Sequence, residues 1–228
     1  MSDRPPLRRQ ILAYALPMLL FSALLGLGSV LKTPGAPLWR AAPEFWIYPL
    51  QTLLCAWLLI NFRREYEFQS LRRPIFTIAT ALLVFLLWIA PQEFFHFPAR
   101  LAGFNPDTFA ATPSLYWTTL LLRFLRLVLV VPLVEEIFWR GFFLRFLIAE
   151  RFRTVPFGTF SWLSFAVVTL AFGFSHSRAD WLAAFITGAL YNAVAYRTKS
   201  LSSCVVAHGL TNFALGLWIL STKQWGFW

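Results

Sequence analysis

Residues 131–141 read VPLVEEIFWRG and place two adjacent glutamates and an arginine inside one of the most apolar parts of the chain. At the centre of a membrane-spanning helix, each such charge costs roughly 2.5–3.5 kcal/mol on insertion scales. Side chains of this kind usually face the protein interior and have partners there. The stretch therefore raises the question of whether Glu135, Glu136 and Arg140 only hold helices together or also carry out chemistry.

The composition around this stretch indicates a membrane protein. Hydrophobic residues make up 58% of the 228 positions and charged residues 13%, against about 25% charged in a typical soluble domain. The apolar residues form long blocks at 11–31, 45–62, 75–90, 115–131, 133–149, 157–175, 181–196 and 201–220. We therefore predict an all-α fold, a polytopic membrane helical bundle with seven or eight transmembrane helices. The number depends on whether Pro132 divides residues 115–149 or only kinks one long helix.

The net charge of +10 comes mainly from Lys and Arg residues in the connections between the apolar blocks. The connection 62–74 holds four arginines, which favours the cytoplasmic side. Because such charges set orientation and contact anionic lipid headgroups, we expect membrane lipids and no nucleic acid as partners. Arg123 and Arg126 share a helix face, and we expect them to snorkel to headgroups or to pair with an acid across the bundle.

The domain organisation is simple, because no linker is long enough to separate two domains. We predict a single membrane-embedded domain over residues 1–228, with the helices that carry the motifs at about 115–220.

Helical spacing separates the roles of the two glutamates. Glu136 and Arg140 are four residues apart and share a face, with the acid on the N-terminal side, the better order for an ion pair. Glu135 is turned by about 100° from Glu136. It has no such partner on its own helix and is therefore available for chemistry.

Two further pairs of residues lie four positions apart, Phe172 with His176 and His208 with Asn212. A single histidine in an apolar helix is more often a packing residue than a site. Two histidines together with paired glutamates are hard to explain by packing, because each polar group must find a partner away from water. The short links between the later helices also predict that Glu135 lies level with His176.

The three patterns occur in a fixed order, EExxxR (Glu135, Glu136, Arg140), FxxxH (Phe172, His176) and HxxxN (His208, Asn212). This order resembles the motifs of the CAAX-protease and bacteriocin-processing (CPBP) family of intramembrane proteases, which is related to the prenyl-protein endopeptidase Rce1. The resemblance covers about residues 125–220. The first 110 residues add hydrophobic helices and no motif.

The resemblance implies an intramembrane endopeptidase. In that mechanism a water activated between Glu135 and His176 hydrolyses a peptide bond, and His208 and Asn212 donate hydrogen bonds to the developing oxyanion. These four side chains are the predicted catalytic residues, and we expect them to surround one buried water-filled pocket.

The resemblance also assigns supporting roles to Glu136, Arg140 and Phe172, which would hold the helix and orient the site. It favours a metal-independent glutamate mechanism, so we expect no metal and no other cofactor. Zinc is the less favoured alternative, because two histidines and a glutamate are zinc ligands. However, the chain has no H-E-x-x-H pair, and asparagine is a poor zinc ligand.

The expected partner is a peptide or protein substrate, with lipidated and membrane-anchored substrates among the alternatives. The expected location is multi-pass in a membrane, and the short chain favours a prokaryotic inner (cytoplasmic) membrane. Two other functions stay open. One is a non-catalytic protein that binds a partner, or gives immunity, through the same pocket. The other is a transporter with a proton relay, which the lack of two matching halves disfavours.

Overall fold

A computed structural model describes residues 6–100 and 103–228 of the protein, and within them the fold is entirely helical. The main helices are α1 (Leu7–Leu31), α2 (Glu44–Asn61), α3 (Pro74–Glu93), α4 (Pro113–Phe146), α5 (Trp162–Phe174), α6 (Trp181–Thr198) and α7 (Leu201–Thr222). Single helical turns lie in the connections at Leu38–Ala41, Pro106–Phe109, Phe152–Thr154 and Arg178–Asp180, and after α7 at Trp225–Phe227.

The predicted membrane helical bundle is confirmed. Among the described residues, α1, α3, α4 and α7 are long and apolar enough to cross a membrane, and α5 is a shorter apolar helix. Large apolar side chains cover the outer surface, as lipid-facing positions require. Examples are Leu19, Leu53, Ile75, Leu121, Trp162 and Leu163.

Local sequence explains where several helices begin and end. Ser161 and Ser200 precede α5 and α7, and each side chain accepts a hydrogen bond from the backbone N–H three residues later. Helices α6 and α7 end at Lys199 and Lys223, which adopt left-handed backbone angles with φ of 51° and 56°. The turn at Lys199 connects α6 directly to α7, and the two helices pack together, while α7 also packs along α3 and α4.

Pro132 lies inside α4 and does not end it, so the two apolar blocks at 115–149 form one continuous helix. The helix widens into a π-helical turn at Arg126–Val130, where the N–H of Val131 bonds to the carbonyl of Arg126. In this five-residue pattern the carbonyl of Leu127 would pair with residue 132, which has no N–H. The side chain of Asn212 on α7 donates to Leu127 O instead, at 2.9 Å. The bond that proline removes is thus replaced from a neighbouring helix.

The connection between α2 and α3 holds the ends of α1 and α4 together. Tyr14 on α1 donates a hydrogen bond to the backbone carbonyl of Glu65, and Glu67 pairs with Arg145 and Arg153. Burial alone would raise the pKa of Glu67, but the hydrogen bonds from the two arginines outweigh it, and the pKa lies below its ordinary value. The carboxylate therefore stays charged at neutral pH, and its contribution to stability is lost only as the pH falls through that lowered pKa.

Close contact between α4 and α7 depends on Gly209, and this gives a test of the packing. A Cβ at position 209 would lie 2.8 Å from the backbone carbonyl oxygen of Val128, whereas a Cβ at Gly26 on α1 would meet no atom of the described chain within 4 Å. We expect Gly209→Ala to lower the free energy of unfolding by about 1–3 kcal/mol, because backbone must move to make room. Gly26→Ala is the matched control and should be neutral or slightly stabilising. Thermal unfolding in detergent gives the midpoint temperature of each variant. Equal midpoints for Gly209→Ala and Gly26→Ala would contradict this packing.

Candidate active site

A cavity of about 280 Å³ lies between α1, α3, α4, α5, α6 and α7. All four residues predicted to be catalytic line it, namely Glu135, His176, His208 and Asn212. Phe172 also reaches its wall, whereas Glu136 and Arg140 lie behind the wall. The structure thus brings together side chains from three separate parts of the sequence.

Glu135 is buried and presents an uncommitted carboxylate to this cavity. Its side chain has a relative exposure of 9%, and it forms no hydrogen bond or ion pair with any residue that the structure describes. A second π-helical turn starts two residues after it, at Ile137–Phe143. Such turns occur frequently at functional sites, because they alter the direction of neighbouring side chains.

Glu136 has the opposite environment, since its carboxylate is fully buried and shared by two partners. Its Oε1 lies 3.0 Å from Nη1 of Arg140, which is the ion pair expected from the four-residue spacing. The same oxygen lies 2.8 Å from Nδ1 of His208 on α7. The sequence did not predict this second contact. Among the described atoms, Oε2 of Glu136 has no hydrogen-bond partner.

Arg140 is satisfied on all sides within the bundle. Its Nε donates to Oδ1 of Asn192 at 3.2 Å, and Nη2 donates to the backbone carbonyl of Gly188 at 3.2 Å. The guanidinium also lies over the ring of Phe172, 4.8 Å from its centroid. Asn192 was missed by the sequence reasoning, although an amide in the apolar block 181–196 was a signal that could have found it. This network joins α4, α5, α6 and α7 around the cavity.

The contacts of His208 fix its tautomer. A carboxylate oxygen only accepts hydrogen bonds, so the bond to Glu136 places a proton on Nδ1 of His208. This leaves Nε2 as the ring nitrogen available to a molecule in the cavity. The ring of Tyr191 lies against the imidazole at 5.2 Å between centroids and limits its rotation.

His176 follows the last turn of α5, and its ring is held in the same way. Nδ1 lies 2.8 Å from the backbone carbonyl of Phe172, and that acceptor again places the proton on Nδ1 and leaves Nε2 free. The ring packs against Phe172 at 4.8 Å and against Trp88 at 5.6 Å. The connection after α5 is anchored by Trp181, whose indole N–H donates to the carbonyl of His176.

Asn212 lies one helical turn beyond His208 on α7. One hydrogen of its amide is used by the carbonyl of Leu127, as described above. The amide has a second N–H, and Asn212 lines the cavity. Its orientation therefore depends on the π-helical turn in α4.

The prediction for Arg123 and Arg126 is wrong in both of its forms. Each residue is only 5% exposed, so neither snorkels to a headgroup, and among the described residues neither has an ion-pair partner. Arg123 lies over the rings of Tyr48, Phe104 and Trp228. Arg126 lines the cavity. The aromatic neighbours come from α2 and from the chain after α3 and α7, which reasoning on one helix could not include.

The buried charge pair gives a test of how the site is supported. Arg140→Ala leaves the buried Glu136 with His208 but without its guanidinium partner, which is expected to cost about 3–5 kcal/mol of stability. The control is Lys32→Ala, which removes the exposed ion pair with Glu44 and should cost about 0–1 kcal/mol. Chemical denaturation in detergent measures both variants. A loss in Arg140→Ala no larger than in Lys32→Ala would contradict a structural role for the pair.

Comparison with known proteins adds one finding. Residues 116–214 match the family model described as type II CAAX prenyl endopeptidase Rce1-like. No curated protein and no solved structure matches the chain. All the residues of the three motifs fall inside the matched range, from Glu135 to Asn212. The resemblance drawn from those motifs is therefore confirmed: residues 116–214 of this integral membrane protein are similar to the Rce1-like CAAX prenyl endopeptidase family.

Proposed function

We propose that the protein is an intramembrane endopeptidase in which Glu135 and His176 activate a water molecule to hydrolyse a peptide bond. The observation that carries this proposal is the uncommitted carboxylate of Glu135 in the same cavity as Nε2 of His176. A buried carboxylate with no partner is costly, and a role as general base accounts for it.

The reaction begins with a water held between Glu135 and Nε2 of His176. Glu135 takes a proton as the water oxygen bonds to the substrate carbonyl carbon, which forms a tetrahedral intermediate with a negative oxygen. As the carbon–nitrogen bond breaks, that proton passes to the leaving nitrogen, and the products are a new carboxyl group and a new amine. Water and the peptide are the only reactants in this sequence of steps.

The oxyanion is stabilised by donors on α7. Asn212 supplies its second amide N–H, while the first holds the side chain against Leu127. His208 is the second proposed donor, and because its Nδ1 proton is used by Glu136, it donates from Nε2 only when the ring carries both protons. One donor of this kind is worth roughly 2.7–4 kcal/mol of activation free energy. Glu136 and Arg140 thus position His208 and do not themselves contact the substrate.

The substrate side of the cavity is apolar. Met18, Phe21 and Leu25 from α1 and Leu215 from α7 line it. Such a wall suits a peptide that carries a lipid or is anchored in the membrane. We propose a prokaryotic inner membrane as its location, because the described residues form almost only helices and brief connections.

Substitution of the two activating residues tests the proposal. Glu135→Gln and His176→Ala should each lower the rate of peptide cleavage by about 10²–10⁴-fold, because each removes a group that handles the proton. The controls are Glu150→Gln and His96→Asn, since both residues are exposed and Asn tolerates the positive φ of 56° at position 96. Purified variants are incubated with tagged peptides, and the products are read by mass. Full activity in Glu135→Gln would refute the assignment, and peptide binding without cleavage by the unaltered protein would indicate a binding protein.

Metal removal tests whether the reaction proceeds without a metal ion. The proposed reaction uses no metal, and among the described residues no three His, Cys, Asp or Glu side chains form a metal-ligand group. Dialysis against a chelator should leave the cleavage rate unchanged. A loss of activity that added zinc restores, with no recovery on adding magnesium, would contradict the metal-independent mechanism.

A further inference from the structure

Arg126 is a buried cation in the cavity wall that the proposed chemistry does not use. It is 5% exposed, and among the described residues no carboxylate forms an ion pair with it. Glu135 influences it electrostatically but is not in ion-pair contact. An unpaired charge at membrane depth usually marks a functional site.

The guanidinium of Arg126 is held in one orientation by its neighbours. Its Nε donates to Oε1 of Gln51 at 2.7 Å, and Gln51 in turn donates from Nε2 to the backbone carbonyl of Phe21 at 2.7 Å. Gln51 is completely buried, so this arrangement is fixed on both sides. The rings of Tyr48 and Phe21 lie against the guanidinium at 4.2 and 5.1 Å. Only Nε of Arg126 has an acceptor, so its two terminal nitrogens have none among the described residues.

The free donors have the geometry of an anion site. Two terminal guanidinium nitrogens match the two oxygens of a carboxylate, which they bind through parallel hydrogen bonds. Arg123 lies three residues earlier on α4, and its Nε and Nη1 are buried without a partner in the described chain. Arg123 therefore adds a second positive charge close to Arg126, which strengthens the attraction for an anion at Arg126.

We propose that Arg126 binds the C-terminal carboxylate of the peptide substrate, an inference that rests on the proposed function. Arg126 and Glu135 line one cavity and are nine residues apart on α4, which is about 13 Å along the helix. An extended peptide covers about 3.3–3.6 Å per residue. A terminus bound at Arg126 therefore lies no more than about four residues beyond the bond that is cleaved at Glu135.

Binding in a cleavage-incapable background tests this inference apart from catalysis. The full-length Glu135→Gln protein is titrated with a fluorescent peptide ending in a free carboxylate and with the same peptide ending in an amide. The carboxylate form should bind about 10- to 100-fold more tightly, because it accepts charge-assisted hydrogen bonds that the amide cannot. Adding Arg126→Gln should abolish this ratio, and adding Arg126→Lys should retain part of it. Arg197→Gln is the matched control, because Arg197 is exposed and outside the cavity, and should keep the ratio.

The ratio of the two affinities separates recognition from structure. If Arg126 only supports the fold, Arg126→Gln lowers the affinity for both peptides by the same factor, and that result would overturn the proposal. Equal affinity for the two peptides in Glu135→Gln, or no binding of either, would also overturn it. The same titration is repeated with added lipid vesicles. If phosphatidylglycerol vesicles abolish the affinity ratio and phosphatidylcholine vesicles do not, Arg126 binds a lipid phosphate instead. If the affinity ratio is retained but the unaltered protein cleaves neither peptide, the proposed protease activity is contradicted and binding of the carboxylate by Arg126 is still supported.

Discussion

The carboxylate of Glu136, shared by Arg140 and His208, is the interaction on which the rest of the site depends. A charge on this side chain is tolerable at membrane depth only because a guanidinium and an imidazole N–H both meet one of its oxygens. The guanidinium is then held by α6 and by the ring of Phe172 on α5. One buried anion thus fixes the relative positions of four helices and also sets the tautomer of His208.

The adjacent glutamates have the same chemistry and opposite surroundings. One residue along a helix turns the side chain by about 100°, which is enough to move a carboxylate from the interior of the bundle to the cavity. The carboxylate of Glu136 is occupied by Arg140 and His208, whereas Glu135 has no partner among the described residues. In the proposed mechanism this division separates two tasks, since the glutamate that supports the site could not also give or take a proton without losing its contacts.

Sequence reasoning succeeded where a single helix determines the outcome. The apolar blocks predicted the helices, and the four-residue spacing predicted the Glu136–Arg140 pair, because both follow from local geometry. The contact between Glu136 and His208 depends on the depth at which α4 and α7 meet, which no local pattern encodes. The burial of Arg126 was missed for the same reason, because its neighbours Tyr48 and Gln51 belong to α2.

Pro132 shows most clearly how a local defect becomes part of the site. The sequence correctly indicated that proline removes a backbone hydrogen bond, but it favoured no particular remedy. In the folded chain the helix widens by one residue, and Asn212 donates to the carbonyl that would otherwise be unpaired. That bond holds the amide against α4 and leaves one N–H for the cavity. An interruption in α4 and an asparagine eighty residues later therefore form one structural feature, since each supplies a hydrogen-bond partner for the other away from water.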